Sequence, residues 1–300
     1  MMHYSVLKGE LLEGLQIKEN GVYVDATLGY AGDSKEILKL ANKGFLYAFD
    51  QDIEAVEYSD KVLKEIGANY KIFNTNFKDM KSCIDEKVDG IIFDLGFSSP
   101  QIDNANRGFS FMNDGLLDMR MGNQDMSAKD IIDKYSEEKL ADVFFKYGEE
   151  KLSRVIARKI KENCKNINTT LELVDAIKSA VGANYFFKNH PERKIFQALR
   201  IEVNDELRIL ENVLPEAINM LKPGGRLCVI TFHSLEDRIV KNVFKKYSEV
   251  NEIVKGMVDI PDEYKPLIKI INKKPIIPGD DELKENSRSA SAKLRIVERI

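Results

Sequence analysis

The sequence predicts an α/β fold: a mostly parallel sheet of about seven strands, interrupted after the fourth by an all-α insert. Two patterns predict it. Over the first hundred residues, short and nearly all-apolar runs alternate with amphipathic stretches, the signature of βαβ units whose strands are covered on both faces. Between Gln101 and Pro191 that alternation stops, and only amphipathic segments remain, with neither a proline nor a β-rich run. With 300 residues, 43% of them apolar, the chain can bury two cores. The expected division is a discontinuous α/β domain over 1–104 and 201–300 and a helical domain over 105–200.

Taken in order, 22–25 is the first strand, followed by a glycine-containing turn and a helix over 34–40. Residues 45–50, 70–74 and 88–94 give the next three strands, with a helix over 53–66. In the insert, apolar spacing predicts helices over 127–145 and 151–163. The α/β pattern resumes with a long helix over 193–221, stopped by Lys222-Pro223-Gly224-Gly225, and a fifth strand over 227–232. Residues 268–271 and 293–297 are the last strands, and the polar tract 279–292 between them reads as a mobile loop.

Cys83, Cys164 and Cys228 are odd in number and far apart, which excludes a disulfide framework and any paired metal-ligand spacing. No apolar run approaches the length needed to span a bilayer and residues 1–14 lack a signal-peptide core, so a cytoplasmic protein with no membrane partner is expected. The net charge of −4 argues against a nucleic-acid partner, but the total is uneven: residues 1–150 carry −11 and residues 151–200 carry +7.

The turn from Asp25 to Ser34 places Gly29 and Gly32 where a strand gives way to a helix, the position at which open α/β sheets bind ligands. Asp50, at the end of the second strand, is placed to accept hydrogen bonds from two ribose hydroxyls. A nucleoside cofactor fits. Thr27 stands where the dinucleotide fingerprint needs its first glycine, and Asp25 and Asp33 bring negative charge that repels a diphosphate and attracts a sulfonium. S-adenosylmethionine therefore suits the turn better than NAD. The bland alternative is a plain turn with Asp33 as a helix cap.

Asp94-Leu95-Gly96-Phe97-Ser98-Ser99-Pro100-Gln101 begins where the fourth strand ends and runs on into Arg107-Gly108-Phe109-Ser110-Phe111 and Leu117-Asp118-Met119-Arg120-Met121. Together with His3, Val6-Leu7 and Glu10, with 196–201, Val203-Asn204 and Glu206-Leu207, with 231–238 and with 291–295, this resembles the MraW/RsmH family, methyltransferases of small-subunit ribosomal RNA that modify a cytosine at N4. The resemblance covers nearly the whole chain. It implies a class I methyltransferase (Rossmann-like) fold, S-adenosylmethionine as cofactor, and cofactor contacts at Ala31, Gly32, Asp33, Asp50, Phe77, Asp94 and Gln101. The chain departs from the pattern at Asp33, where the family usually has an aromatic residue or histidine, at Ala31, often glycine, and near Ser5, commonly proline.

The cytosine N4 amine is a weak nucleophile because its lone pair is delocalised into the ring, so the site must orient it and accept its hydrogens. Asp94 is the expected acceptor, with Ser98 or Ser99 assisting; the rival reading gives Asp94 to the cofactor alone. His233 is a third catalytic candidate or a structural residue. The base must be unpaired or flipped, for which Phe97, Phe109 and Phe111 are candidate platforms or core side chains. Helical spacing gathers Lys151, Arg154, Arg158, Lys161 and Lys165 within an arc of about 80°, opposite Leu152, Val155, Ile156 and Ile160, a stripe suited to phosphates or a plain solvated face. Gln197, Arg200 and Asn204 share the edge of a buried seam, as RNA contacts or structural support. Arg288, Lys293 and Arg295 are further phosphate candidates. No metal is expected, since three scattered histidines offer no ligand set. The expected partner is small-subunit ribosomal RNA within the assembled subunit, with a homodimer also admitted. Competing readings are a methyltransferase of another nucleic acid or of a protein side chain, and a cofactor-sensing assembly factor without turnover.

Overall fold

The structure is a computed structural model that describes residues 5–250, 252–254, 256–257 and 259–300, with the side chains of Ser99, Glu252 and Glu263 also outside the description. His3 lies outside the described residues. The chain forms two compact units, Met1–Gly96 with Leu207–Ile300, and Phe97–Glu206. The sequence reading drew these divisions at 104/105 and 200/201.

The first unit is built on strands β1 (Val22–Asp25), β2 (Phe45–Phe49), β3 (Tyr70–Phe73), β4 (Val88–Asp94), β5 (Leu221–Thr231), β6 (Ile268–Ile270) and β7 (Lys293–Arg299). They form one sheet in the order β3-β2-β1-β4-β5-β7-β6. The first five are parallel, and β7 runs antiparallel to both β5 and β6. Successive residues face opposite sides, and both sides are buried. Val24, Ile91, Phe93 and Val229 pack in one apolar cluster with helix residues Leu214 and Phe244. Tyr23, Ile92, Cys228 and Ile230 pack in another with Leu11 and Ile37. Burial on both faces is why these strands read as continuous apolar runs, each large side chain contributing about 1.5–3 kcal/mol.

β5 begins six residues before its expected start. Pro223-Gly224-Gly225 is absorbed as an irregularity in which Val88 pairs Leu221 and Gly90 pairs Arg226, with Gly224 at φ 77°. The tract 279–292 is not a mobile loop. It holds a helix, Asp280–Glu285, and a 3₁₀ segment, Ser287–Ser291, and Leu7 N–H donates to Glu282 Oε1 at 2.9 Å.

The second unit is helical: Ala128–Lys134, Glu137–Gly148, Ser153–Asn163, Thr170–Val181, Ala183–Asn189 and Pro191–Asn204 enclose their own core around Phe144, Ile156, Ile177 and Leu199. The expected 127–145 helix is two, because Ser127 and Ser136 each cap a new N-terminus, accepting from Asp130 N–H and Lys139 N–H. The expected 193–221 helix is also two, Pro191–Asn204 and Glu206–Met220. Asp205 takes φ 53°, a left-handed conformation that ends a helix. Among the described residues no helix is long and apolar enough to cross a membrane.

Candidate active site

Strand order reverses between β1 and β4, so the crevice beyond their carboxyl ends is where a ligand fits this topology. Asp25, the last residue of β1, pairs in register with Ile92 of β4. Its carboxylate organises the turn: Oδ1 accepts from Thr27 N–H at 3.0 Å and Oδ2 from the Ser34 hydroxyl at 2.6 Å. Thr27 Oγ1 in turn accepts from Asp94 N–H at 2.7 Å, fixing the end of β4 against the turn. Gly29 has φ 49° and Ala31 φ 59°. For an L-residue with a Cβ that conformation costs about 1 kcal/mol, so Ala31 holds a position where glycine would be unstrained. Gly29 N–H donates to Asp50 Oδ2 and Asp52 N–H to Asp50 Oδ1, both at 2.8 Å, which holds Asp50 at the rim with one further lone pair on each oxygen.

Four carboxylates therefore gather at this crevice, and burial dominates their electrostatics. It pushes the Asp25 carboxyl up to about 7, against the opposing Ser34 hydrogen bond, and Asp50 up to about 6. Asp33 is raised to about 6 by burial, with a Ser5 hydrogen bond pulling the other way. Asp94 is raised well above the carboxylate range by burial and then by the charges of Asp33, Asp25 and Glu236. Asp33 and Asp94 each keep a buried Oδ1 with no hydrogen-bond partner. Asp33 is not the side-chain cap of the helix it precedes. Unmatched buried acceptors are what a bound cation or donor would satisfy. Phe77 is half-buried against the core cluster, its ring edge-on to Phe93 at 5.3 Å.

His233 caps the helix Ser234–Ser248: its Nδ1 accepts from Glu236 N–H at 3.4 Å, and Glu236 Oε2 accepts from Phe232 N–H at 2.8 Å. His233 Nε2 lies 3.1 Å from Glu236 Oε1 but outside hydrogen-bond geometry, and is buried without a hydrogen-bond partner among the described residues. His233 also lines a cavity of about 240 Å³ beyond the end of β5, with Phe232, Ser234, Ile277 and Ser291. Lys293 and Arg295 are occupied by Asp237, at 3.6 and 2.7 Å, which removes them as free phosphate ligands.

In the helical unit, Gln101 is buried and its Oε1 accepts from Ser98 N–H at 3.0 Å, so the two shape the start of one short helix, Ser99–Asp103. Phe109 is a core residue and Phe111 is half-buried against the same core, while Phe97 is 37% exposed with the Arg200 guanidinium 4.7 Å over its ring. Arg200 forms a two-pronged pair with Glu206, both bonds 2.8 Å. Gln197 Nε2 donates to Tyr147 O. Asn204 spends its amide on main chain, donating to Met119 O and Arg200 O and accepting from Met121 N–H. The expectation of direct RNA contact is corrected for Asn204: both its donors are spent inside the fold. On the stripe, Lys161 is likewise taken up by Ile132 O and Asp133 O, and Val155 is exposed rather than buried. Lys151, Arg154, Arg158 and Lys165 are exposed and form no ion pair among the described residues.

Asp25 and Thr27, read from the sequence as an acidic group and a fingerprint departure in the glycine turn, prove to be its hydrogen-bonding framework. Glu236, whose charge raises Asp94, carried no signal as a site residue, because its reach to Asp94 depends on the packing of β4 beside β5.

The strand order, with its antiparallel β7 and its acidic crevice at the switch point, defines a class I methyltransferase fold. The model of the MraW methylase family matches residues 1–300, and the chain belongs to that family. A curated relative, ribosomal RNA small subunit methyltransferase H of Exiguobacterium sibiricum, is 47% identical over 306 residues, covering 99% of this chain and 98% of that protein. Among solved structures, an rRNA methylase from Streptococcus thermophilus is similar at 12% identity and TM-score 0.42, over 98% of this chain and 93% of that one. A protein of Streptococcus mutans, solved in complex with S-adenosylhomocysteine, is similar at 12% identity and TM-score 0.43 over the whole of both chains.

Proposed function

We propose that this protein transfers a methyl group from S-adenosylmethionine to the N4 amine of a specific cytosine in small-subunit ribosomal RNA. The observation that carries the reading is Asp94, a buried carboxylate with an unmatched Oδ1 fixed beside the glycine turn. Family membership supports methyl transfer, and the curated relative's name supports the ribosomal RNA substrate.

Bound S-adenosylmethionine supplies an electrophilic methyl group on a sulfonium. The main chain of Ala31 and Gly32 lines the turn that would hold it, Asp50 offers its two remaining lone pairs to the ribose, and Phe77 offers a ring edge. Gln101 supports the segment that leads from the crevice. Asp94 Oδ1 accepts an N4 hydrogen, which orients the amine and lets its lone pair localise as the new bond forms; such a positioned acceptor is worth about 10²–10⁴-fold. Ser98 is the second candidate acceptor. His233, held by Glu236, shapes the cavity beyond β5 and positions the base rather than taking its proton. Arg154 and Arg158 meet RNA phosphates, while Gln197, Arg200 and Asn204 hold the inner face of the helical unit in shape.

The reading extends to an assembled small subunit as substrate, a homodimer and a cytoplasmic location. Labelled methyl transfer to isolated small subunits and to naked ribosomal RNA, with the product mapped, tests it. Label on a cytosine N4 is expected, with subunits the better substrate; no transfer to any RNA overturns the function, and preference for naked RNA overturns the subunit assignment. The solution mass tests the homodimer.

A further inference from the structure

A methyl donor and the product it leaves differ by the methyl group and by one charge: the sulfonium becomes a neutral thioether, while base, ribose and amino-acid groups are the same. A buried anion near the sulfur tells the two apart by that charge. Asp33 is 6% exposed, its carboxylate receives the Ser5 hydroxyl, and its Oδ1 has no partner. Asp94 presents a second unmatched Oδ1, and Thr27 holds its main chain against the same turn. The charges around the pair are Lys8, Lys35 and Glu36 beside Asp33, and Asp25 and Glu236 beside Asp94. Lys8 is occupied by Glu36 at 3.1 Å. Two buried acceptors at the β1 and β4 ends thus lack a hydrogen-bonded cation among the described residues.

We infer that Asp33, acting with Asp94, makes the crevice select the charged methyl donor over its neutral thioether product. This rests on the cofactor reading above and deepens it. The charge balance also follows through transfer. The methyl C–S bond breaks with its electron pair left on sulfur, the C–N bond forms, and the proton released from the amine passes to the carboxylate pair. The pair thus loses its cation and gains a proton in one step, so its charge stays balanced, and product binding falls only when the proton leaves and the pair is again an uncompensated anion.

The test is the dissociation constant of S-adenosylmethionine and of S-adenosylhomocysteine for the intact protein, measured by calorimetry, in the wild type and in Asp33→Asn. Asparagine keeps the shape and removes the charge. Weakening of the donor by about tenfold with the product within about twofold is expected, the size of one partly desolvated charge contact. Equal weakening of both, or of neither, overturns the inference. The donor-to-product selectivity of the wild type also rises with pH between about 5.5 and 8, as Asp33 ionises. In Ser5→Ala, which keeps the carboxylate and removes a donor to it, that rise moves to higher pH; an unchanged profile in both variants counts against the assignment. A wild type that binds neither molecule overturns the cofactor reading itself, a result distinct from loss of selectivity.

Discussion

At the scale of single residues, the proposed chemistry turns on what Asp94 can accept. Its Oδ1 lacks a partner although it is buried, and burial with three neighbouring carboxylates raises its affinity for a proton. A group in that position takes a hydrogen bond, and then a proton, more readily than an exposed aspartate would. Asp94→Asn preserves the main-chain bond to Thr27 and the side-chain shape but cannot take the proton. At saturating cofactor its turnover is expected to fall by at least about 10²-fold. Single-turnover rates measured there separate this from any loss of cofactor affinity, and a near-normal rate would leave Asp94 a cofactor ligand only. Asp25 contrasts with it: both oxygens are already satisfied, by Thr27 and Ser34, so it builds the turn and does not take part in the reaction.

At the scale of elements, the helix Ser153–Asn163 shows what periodicity can and cannot read. Its inner face is the apolar row Ile156, Ala157 and Ile160, and Arg154 and Arg158 stand on the outer face as the spacing required. Spacing could not show that Lys161 would reach across to the carbonyls ending the helix Ala128–Lys134. The effective stripe is shorter than its charge count. Charge reversal by Arg154→Glu with Arg158→Glu is expected to weaken RNA binding by at least about tenfold and to reduce its salt dependence by about two phosphate contacts. Filter binding at several salt concentrations measures both, and cofactor affinity should stay within about twofold. Equal loss of both affinities, or of neither, would refute this role. The same limit explains the other misreadings. The strands of the central sheet were legible because burial on both faces leaves long apolar runs, and Asp50 and Asp94 because they end such runs. The breaks at Ser136 and Asp205 were not, because a cap and a left-handed residue interrupt a helix without interrupting its apolar period. The segment 279–292 looked like a loop because its helix is polar and is held by one distant contact, Leu7 to Glu282.

At the scale of the molecule, the net charge of −4 conceals opposite local balances, with +7 over residues 151–200 and an acidic crevice in the α/β unit. The crevice carboxylates set a pH dependence for the whole fold. Asp25 is raised to about 7, and Asp33 and Asp50 to about 6, all from an ordinary value of 3.8. Between those limits the folded chain binds more protons than the unfolded one, so stability must fall as pH rises from about 4 to about 7. Asp89, Asp118 and Asp237 act in the opposite sense: their partners lower them, and the stability they contribute is lost only as pH falls below the ordinary carboxylate range. The unliganded protein should therefore be most stable on the acid side of neutrality, and its unfolding midpoint should decline between about pH 5 and pH 8. Asp25→Asn removes a group raised to about 7 and should flatten that decline. A cationic cofactor compensates the same carboxylates, so S-adenosylmethionine should raise the midpoint more at pH 8 than at pH 5, by more than S-adenosylhomocysteine does. Thermal unfolding of the free protein across this range measures the slope. A midpoint that rises with pH would mean that the crevice carboxylates are ionised without cost in the free protein, and the electrostatic account of cofactor choice would go with it.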